Sequence, residues 1–208
     1  MRNIACLLIL LLALTGCSRE SQSTINEKID KPSEGITLTP VDLFKGEAAK
    51  FKPFLGTMSG AFKLRYDGEA PNVNLDIDIW KNGEKVESKG SLIGLFGNTE
   101  NPESNEVELI ISINTISTEG QEDINQVKVS TVHASGSSTS TFEFPGDKEL
   151  TLKGIMDIQE VSTFTTESPI PVWGMQATSG NFISTLDFSP ESLSKLEYAI
   201  LFTLKFED

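Results

Sequence analysis

Cysteine is nearly missing from this chain: of 208 residues two are cysteine, Cys6 and Cys17, and none follows position 17. Everything downstream lacks a disulfide framework, a thiolate nucleophile and thiolate metal ligands, and must be held together by its core alone. Histidine is as scarce, His133 being the single one, which leaves a zinc site short of ligands. Positive charge is in deficit: 17 Lys and Arg stand against 30 Asp and Glu, for a formal net charge of −13. Nucleic acid and anionic lipid are poor partners for a surface of that sign, and no nucleic-acid partner is expected. The longest apolar run, eleven residues from Ile4 to Leu14, would extend roughly 16 Å as a helix, well short of the ~30 Å hydrocarbon core of a bilayer. There is no Gly-x-Ser-x-Gly elbow to present a serine nucleophile and no EF-hand spacing. No cofactor is implied.

What is present begins at the N-terminus. Arg2 precedes the apolar run, and Leu14-Thr15-Gly16-Cys17 closes it, the layout of a secretory signal. A signal cut by ordinary signal peptidase ends in small residues of the Ala-x-Ala kind. Leucine, two small residues and then cysteine resemble instead the lipobox of bacterial lipoproteins. The resemblance implies that the Cys17 thiol receives a diacylglyceryl group, that cleavage falls between Gly16 and Cys17, and that the lipidated cysteine becomes the new N-terminus. Two or three acyl chains hold a bilayer stably where one binds only marginally. Loss of residues 1–16 removes Arg2 and no acid, leaving 16 basic against 30 acidic residues. Such acidity keeps a domain soluble and off a like-charged membrane, and also offers a docking surface for cations or a basic partner.

The expected organisation is a signal peptide over 1–16, a lipidated N-terminus and flexible tether over 17–38, and one β-rich extracytoplasmic domain over 39–208. The tether is rich in Ser, Glu, Lys and Asn, and ~18 flexible residues have a root-mean-square reach of roughly 25 Å. Thr39-Pro40-Val41-Asp42 carries helix-start chemistry, with a cap, proline at the first position and an acid in the first turn, and Gly46 and Pro53 should stop that helix early. From Gly60 onward the pattern has period two. Val73, Leu75, Ile77 and Ile79 share one face and Asn74, Asp76, Asp78 and Trp80 the other. Lys81-Asn82-Gly83-Glu84 predicts a hairpin returning over Lys85–Gly90. Val107–Ile113, Val127–Thr131 and Tyr198–Phe206 read as further strands. Pro145-Gly146-Asp147-Lys148 predicts a second hairpin, joining Ser140–Phe144 to Leu150–Met156. Ser189-Pro190-Glu191 should open one helical turn. The fold class is all-β, an antiparallel β-sandwich with one or two short helices, a barrel being the alternative. About 190 mature residues suffice, since a chain this long buries roughly 70% of its unfolded surface.

Candidate sites are few. His133 ends a strand beside a Ser/Thr-rich stretch from Ser135 to Thr141, which suits a polar loop and exposed strand face better than a serine hydrolase, because a triad needs a third group to orient the base. Asn72, Asn74, Asp76 and Asp78 invite calcium, but residues two apart on a strand lie about 6.8 Å apart and cannot converge on one ion. Loop help from Asp67, Glu69 or Glu100 would be needed. A carboxylate pair acting on wall polysaccharide is open, since glycosidases need two acids about 5 to 10 Å apart. Trp173 and Met175, in Pro169-Ile170-Pro171-Val172-Trp173-Gly174-Met175, form a stiffened apolar anchor if exposed, or plug the sandwich if buried. Trp80, out of phase with the core, is a second candidate contact.

The overall style of the mature chain resembles the uncharacterised lipoproteins of Gram-positive bacteria. The resemblance implies attachment to the extracytoplasmic face of a cell membrane through lipid on Cys17, and Ser18 also permits sorting to an outer membrane in a Gram-negative cell. The expected role is a non-catalytic ligand- or protein-binding or assembly module, with an envelope protein or wall component as partner. The alternative is a cell-envelope hydrolase using a carboxylate pair.

Overall fold

A computed structural model describes residues 35–68, 70–97, 105–117, 119–120, 122–165 and 168–207. Gly16, Cys17, Glu69 and Glu100 lie outside the described residues. Among the described residues eleven strands form two sheets: β1 Gly35–Val41, β2 Ser59–Tyr66, β3 Asn72–Lys81, β4 Glu84–Leu92, β5 Glu106–Ile116, β6 Ile124–His133, β7 Gly136–Pro145, β8 Leu152–Asp157, β9 Ser162–Thr165, β10 Ile170–Thr178 and β11 Tyr198–Glu207. The six-stranded sheet runs β7-β6-β5-β2-β1-β9 and the five-stranded sheet β4-β3-β11-β10-β8, with neighbours antiparallel. The two sheets stay separate, so the fold is a sandwich and not a closed barrel.

Alternation explains the core. Ile36, Leu38, Phe62, Leu64, Val107, Leu109, Ile111, Val127 and Val129 from the first sheet meet Val73, Leu75, Ile77, Phe202 and Leu204 from the second in one buried cluster, the interdigitation of two inner faces. Asn82 and Gly83 join β3 to β4 with φ of 50° and 79°, positive values that a two-residue hairpin of this hand demands and that Asn-Gly accepts at least cost. The edge strand β4 is short of apolar residues and exposes Glu84, Lys85, Glu87 and Lys89.

Four expectations are corrected. Thr39-Pro40-Val41 continues β1 and opens no helix. Pro40 is tolerated because it lies beyond the β9 ladder, which ends at Leu38, so that β1 is paired there only with β2. Gly46 and Pro53, read as stops, lie inside a 3-10 turn, Gly46–Phe51, and a four-residue helix, α1, Lys52–Leu55. The domain begins at least four residues before position 39, because Ile36 and Leu38 are fully buried. Finally, residues 146–151 form no hairpin: β7 pairs with β6 and β8 with β10, so this turn carries the chain from one sheet to the other.

The face of β3 expected to be solvated is largely covered, and Asn74 and Asp78 are buried. Residues 179–197 form a strap over the outer face of the second sheet. A second cluster of Met156, Leu193, Leu196, Ala199 and Leu201 lies beneath it, with Trp80, Leu186 and Phe188 packed against it. The strap is pinned at several points. Glu197 accepts hydrogen bonds from Thr178 Oγ1 at 2.6 Å and Ser179 Oγ at 2.7 Å, Gln176 Nε2 donates to the Ser184 carbonyl at 2.7 Å, and the Asn82 and Gly83 N–H groups donate to the Glu197 and Leu196 carbonyls. Its one helical turn, α2, Pro190–Leu193, starts at Ser189, whose side chain accepts from Ser192 N. The expected capped turn is present.

Candidate functional site

A cavity of about 380 Å³ opens where β1 and β2 of the first sheet face β8 and β10 of the second. Its wall is apolar, from Leu38, Pro40, Val41, Phe62, Val172 and Trp173, and its polar groups are Asp42, Ser59, Asp157 and Gln159. A β-bulge in β10 builds the floor. Pro171 pairs with Thr203 and Trp173 with Phe202, so that Val172 is the extra residue. The bulge turns two successive side chains, Val172 and Trp173, onto the inner face, which regular alternation forbids.

Trp173 is only 2% exposed. Its ring meets Phe202 edge to face, centroids 5.5 Å apart, and its Nε1 edge lies directly on Gly60, where a Cβ would collide with the indole. The indole N–H is buried without an acceptor. Met175 is fully buried as well. Neither residue is the surface anchor that the segment suggested when read as exposed; the bulge and the glycine draw the indole into the sandwich. Trp80 is half-buried, packed against the Leu193 and Leu201 cluster, and its own N–H likewise has no hydrogen-bond partner among the described residues.

The cavity rim is negative. Among the described residues that line it, Asp42 and Asp157 are the only ionisable ones, with no Lys, Arg or His. Asp42 Oδ1 accepts from the Phe44 N–H at 3.1 Å, and Asp157 Oδ1 accepts from Gln159 Nε2. Such an opening accommodates an apolar body with a neutral or cationic polar end, since an anion would meet two carboxylates and no counter-charge.

The other candidates are not gathered into sites. His133 pairs with Gly136 across the β6–β7 turn and lines a shallow cavity of about 400 Å³ with Ser91, Thr131, Ser138 and Ser140. No carboxylate lines that cavity to orient the imidazole. Two of the four β3 side chains considered for calcium are engaged by protein groups: Asn74 Oδ1 accepts from the Gly94 N–H at 2.9 Å, and Asp78 Oδ1 binds Ser88 Oγ at 2.6 Å and Lys85 Nζ at 2.7 Å. Asp67 pairs with Arg65 at 3.1 Å. Among the described residues no group of three or more His, Cys, Asp or Glu could hold a metal ion. A third opening, between Lys81, Glu122, Asp123, Asp147, Lys148 and Tyr198, holds a Lys148–Asp123 ion pair at 3.9 Å. Burial pushes the Tyr198 hydroxyl up to about 12.

Sequence reasoning missed the cavity-lining Asp42, Asp157 and Gln159, which no local motif connects. It also passed over Phe51 and Phe54, exposed by 52% and 82%, although their setting, Lys50-Phe51-Lys52-Pro53-Phe54, departs visibly from an acidic chain. Comparison with known protein families, curated proteins and solved structures gives no match.

Proposed function

We propose that the mature chain is a lipid-anchored, non-catalytic binding module on the extracytoplasmic face of a bacterial membrane, held by acyl chains on Cys17 and binding its ligand in the cavity above Trp173. The location rests on Leu14-Thr15-Gly16-Cys17 after the apolar run. The binding role rests on the cavity, whose size falls in the range of small-ligand sites and whose lining combines apolar side chains with the polar Asp42, Ser59, Asp157 and Gln159. Its ligand is a neutral or cationic amphipathic group of the envelope, either free or part of a wall component or protein. The test is crosslinking on intact cells followed by affinity recovery and mass spectrometry, comparing the native protein with Gln159→Trp, which fills the mouth from an exposed position. A ligand recovered with the native protein and lost from the variant is expected. Equal recovery from both refutes the cavity, and an unmodified Cys17 in the purified protein refutes the anchor.

A second reading has one observation in its favour: Asp42 and Asp157 share the cavity, the arrangement a carboxylate-pair hydrolase would use. Release of fragments from wall polymer by the native protein, abolished in Asp157→Asn, would replace the binding role with hydrolysis.

A further inference from the structure

The segment Leu43–Leu55 is built unlike the rest of the molecule. It carries Lys45, Lys50 and Lys52 against Glu47, a local charge of about +2 in a chain of net −13. Neither of its two helical turns buries a residue. The segment is held in place by polar groups and not by its aromatic residues: Ser59 Oγ and Ser112 Oγ both donate to the Leu55 carbonyl, at 2.7 and 2.8 Å. Phe54 and Phe51 are left at 82% and 52% exposure. The lysines sit with the rings, Lys50 Nζ 5.4 Å from the Phe51 centroid and Lys52 Nζ 5.6 Å from that of Phe44. Apolar side chains ringed by ammonium groups suit an interface with hydrocarbon below and anionic head groups beside it.

We infer that this segment docks on the anionic surface of the bilayer, inserting Phe51 and Phe54 and placing Lys45, Lys50 and Lys52 among the head groups. The inference rests on the lipid-anchored reading above. It also qualifies the expectation from whole-chain charge, because anionic lipid is a poor partner for the average surface but a matched one for this patch. The chain length permits the contact. Seventeen residues lie between Cys17 and Gly35, a contour of up to ~60 Å, and the stretch from Gly35 to Leu43 adds at most ~27 Å. The bilayer therefore holds the domain twice, by acyl chains and by this face. That fixes an orientation that a tether alone leaves free.

The experiment places Phe54→Trp in the full chain, purified with its lipid and reconstituted into phosphatidylglycerol–phosphatidylcholine vesicles with brominated acyl chains. Trp80 and Trp173 are shielded, so the unsubstituted protein supplies the background. The new indole is expected to shift to the blue and lose most of its emission to bromine. Both effects should vanish in pure phosphatidylcholine and in a Lys45→Glu/Lys50→Glu/Lys52→Glu background. Emission that stays unquenched and water-like in the anionic vesicles overturns the docking and leaves the face to a protein partner. If mass analysis finds Cys17 unmodified, the anchor fails separately. Docking is then read by titrating Cys17→Ser/Phe54→Trp protein with the same vesicles, where an unquenched indole overturns it equally.

Discussion

In β6 of the six-stranded sheet, Asn125, Val127, Val129 and Thr131 are buried while Lys128 between them and Val132 after them lie in solvent; in β11 of the five-stranded sheet every residue from Tyr198 to Leu204 is buried. Both strands sit over the same core. The difference is the second layer, since the first sheet presents an outer face of paired polar side chains, such as Ser130–Thr139 at 2.8 Å and Gln126–Glu143 at 2.7 Å. The second carries the strap over residues 179–197. A strand covered on both sides reads as a continuous apolar run, and one covered on a single side alternates. Tyr-Ala-Ile-Leu-Phe-Thr-Leu in β11 and Val-Lys-Val-Ser-Thr-Val in β6 write that difference into the chain.

Substitutions on either side of the two sheets test it. Phe202→Ala, on the inner face against Trp173, should cost about 3–5 kcal/mol in urea unfolding, as expected for a deleted core aromatic. Leu201→Ala, one residue on and facing outward, should cost nearly as much, about 2–5 kcal/mol, because it lies fully buried beneath the strap. Lys128→Ala, outward on the bare sheet, should stay within about 0.5 kcal/mol. A small loss for Leu201→Ala would mean that the strap is not a true second layer. Gly174→Ala sharpens the point: its Cβ would lie 2.5 Å from Leu201 Cδ2 and 2.8 Å from the Ile200 carbonyl oxygen, and overpacking of that kind costs about 1–3 kcal/mol. An unchanged midpoint there would show the outer layer to be loose.

A modest effect concerns the strap's own helical turn. Ser189→Ala removes the cap of α2 and should cost ~1 kcal/mol. The Ser189 hydroxyl also donates to Asp187 Oδ1 at 2.6 Å. Hydrogen bonds from Ser189 first, and then from Ser192, hold the Asp187 carboxyl down at about 2 from its ordinary 3.8. A depressed carboxyl stabilises the fold above its unfolded value and ceases to do so as the pH falls through its folded one. The melting temperature of the native protein should therefore converge on that of Asp187→Asn between about pH 4 and pH 2, with the gap between them constant at neutral pH. A gap that persists below pH 2 would assign the difference to the amide and not to the charge.

Elements set by near neighbours were legible in the chain. The Asn82-Gly83 turn, the alternation of β5 and β6, and the Ser189 cap each depend on residues within a few positions, and each is where the pattern put it. Pro40 was misread because Thr-Pro-Val-Asp offers a helix start and an edge strand the same local chemistry. The choice was made by Phe62 and Ala61 across the ladder. Asn74 and Asp78 looked solvated because the groups that pair with them, the Gly94 N–H, Ser88 and Lys85, come from the neighbouring strand β4 and the loop after it and follow no fixed spacing. Trp173 was open to two readings, anchor or plug, and the buried plug is the one found; the local sequence could not decide because neither the bulge at Val172 nor the seat on Gly60 leaves a local trace. The cavity draws on four strands spread from Leu38 to Trp173, so no spacing announces it. The basic and aromatic segment around Phe51, by contrast, was visible as a departure in composition and needed only to be weighed against the average charge.

On the lipid-anchored reading proposed above, the exposed edge of β4, with Glu84, Lys85, Glu87 and Lys89 within six residues, takes on a further meaning, because anchored copies would be confined to a plane. Copies sharing one bilayer leaflet collide side by side far more often than copies in dilution, and a sheet rim with unpaired amides is where such collisions turn into permanent stacks. A rim of alternating ammonium and carboxylate groups would have to strip its own hydration and match its partner charge for charge before a neighbouring strand could add to it. On that reading, the strand that contributes least to the core would contribute to keeping a crowded population dispersed.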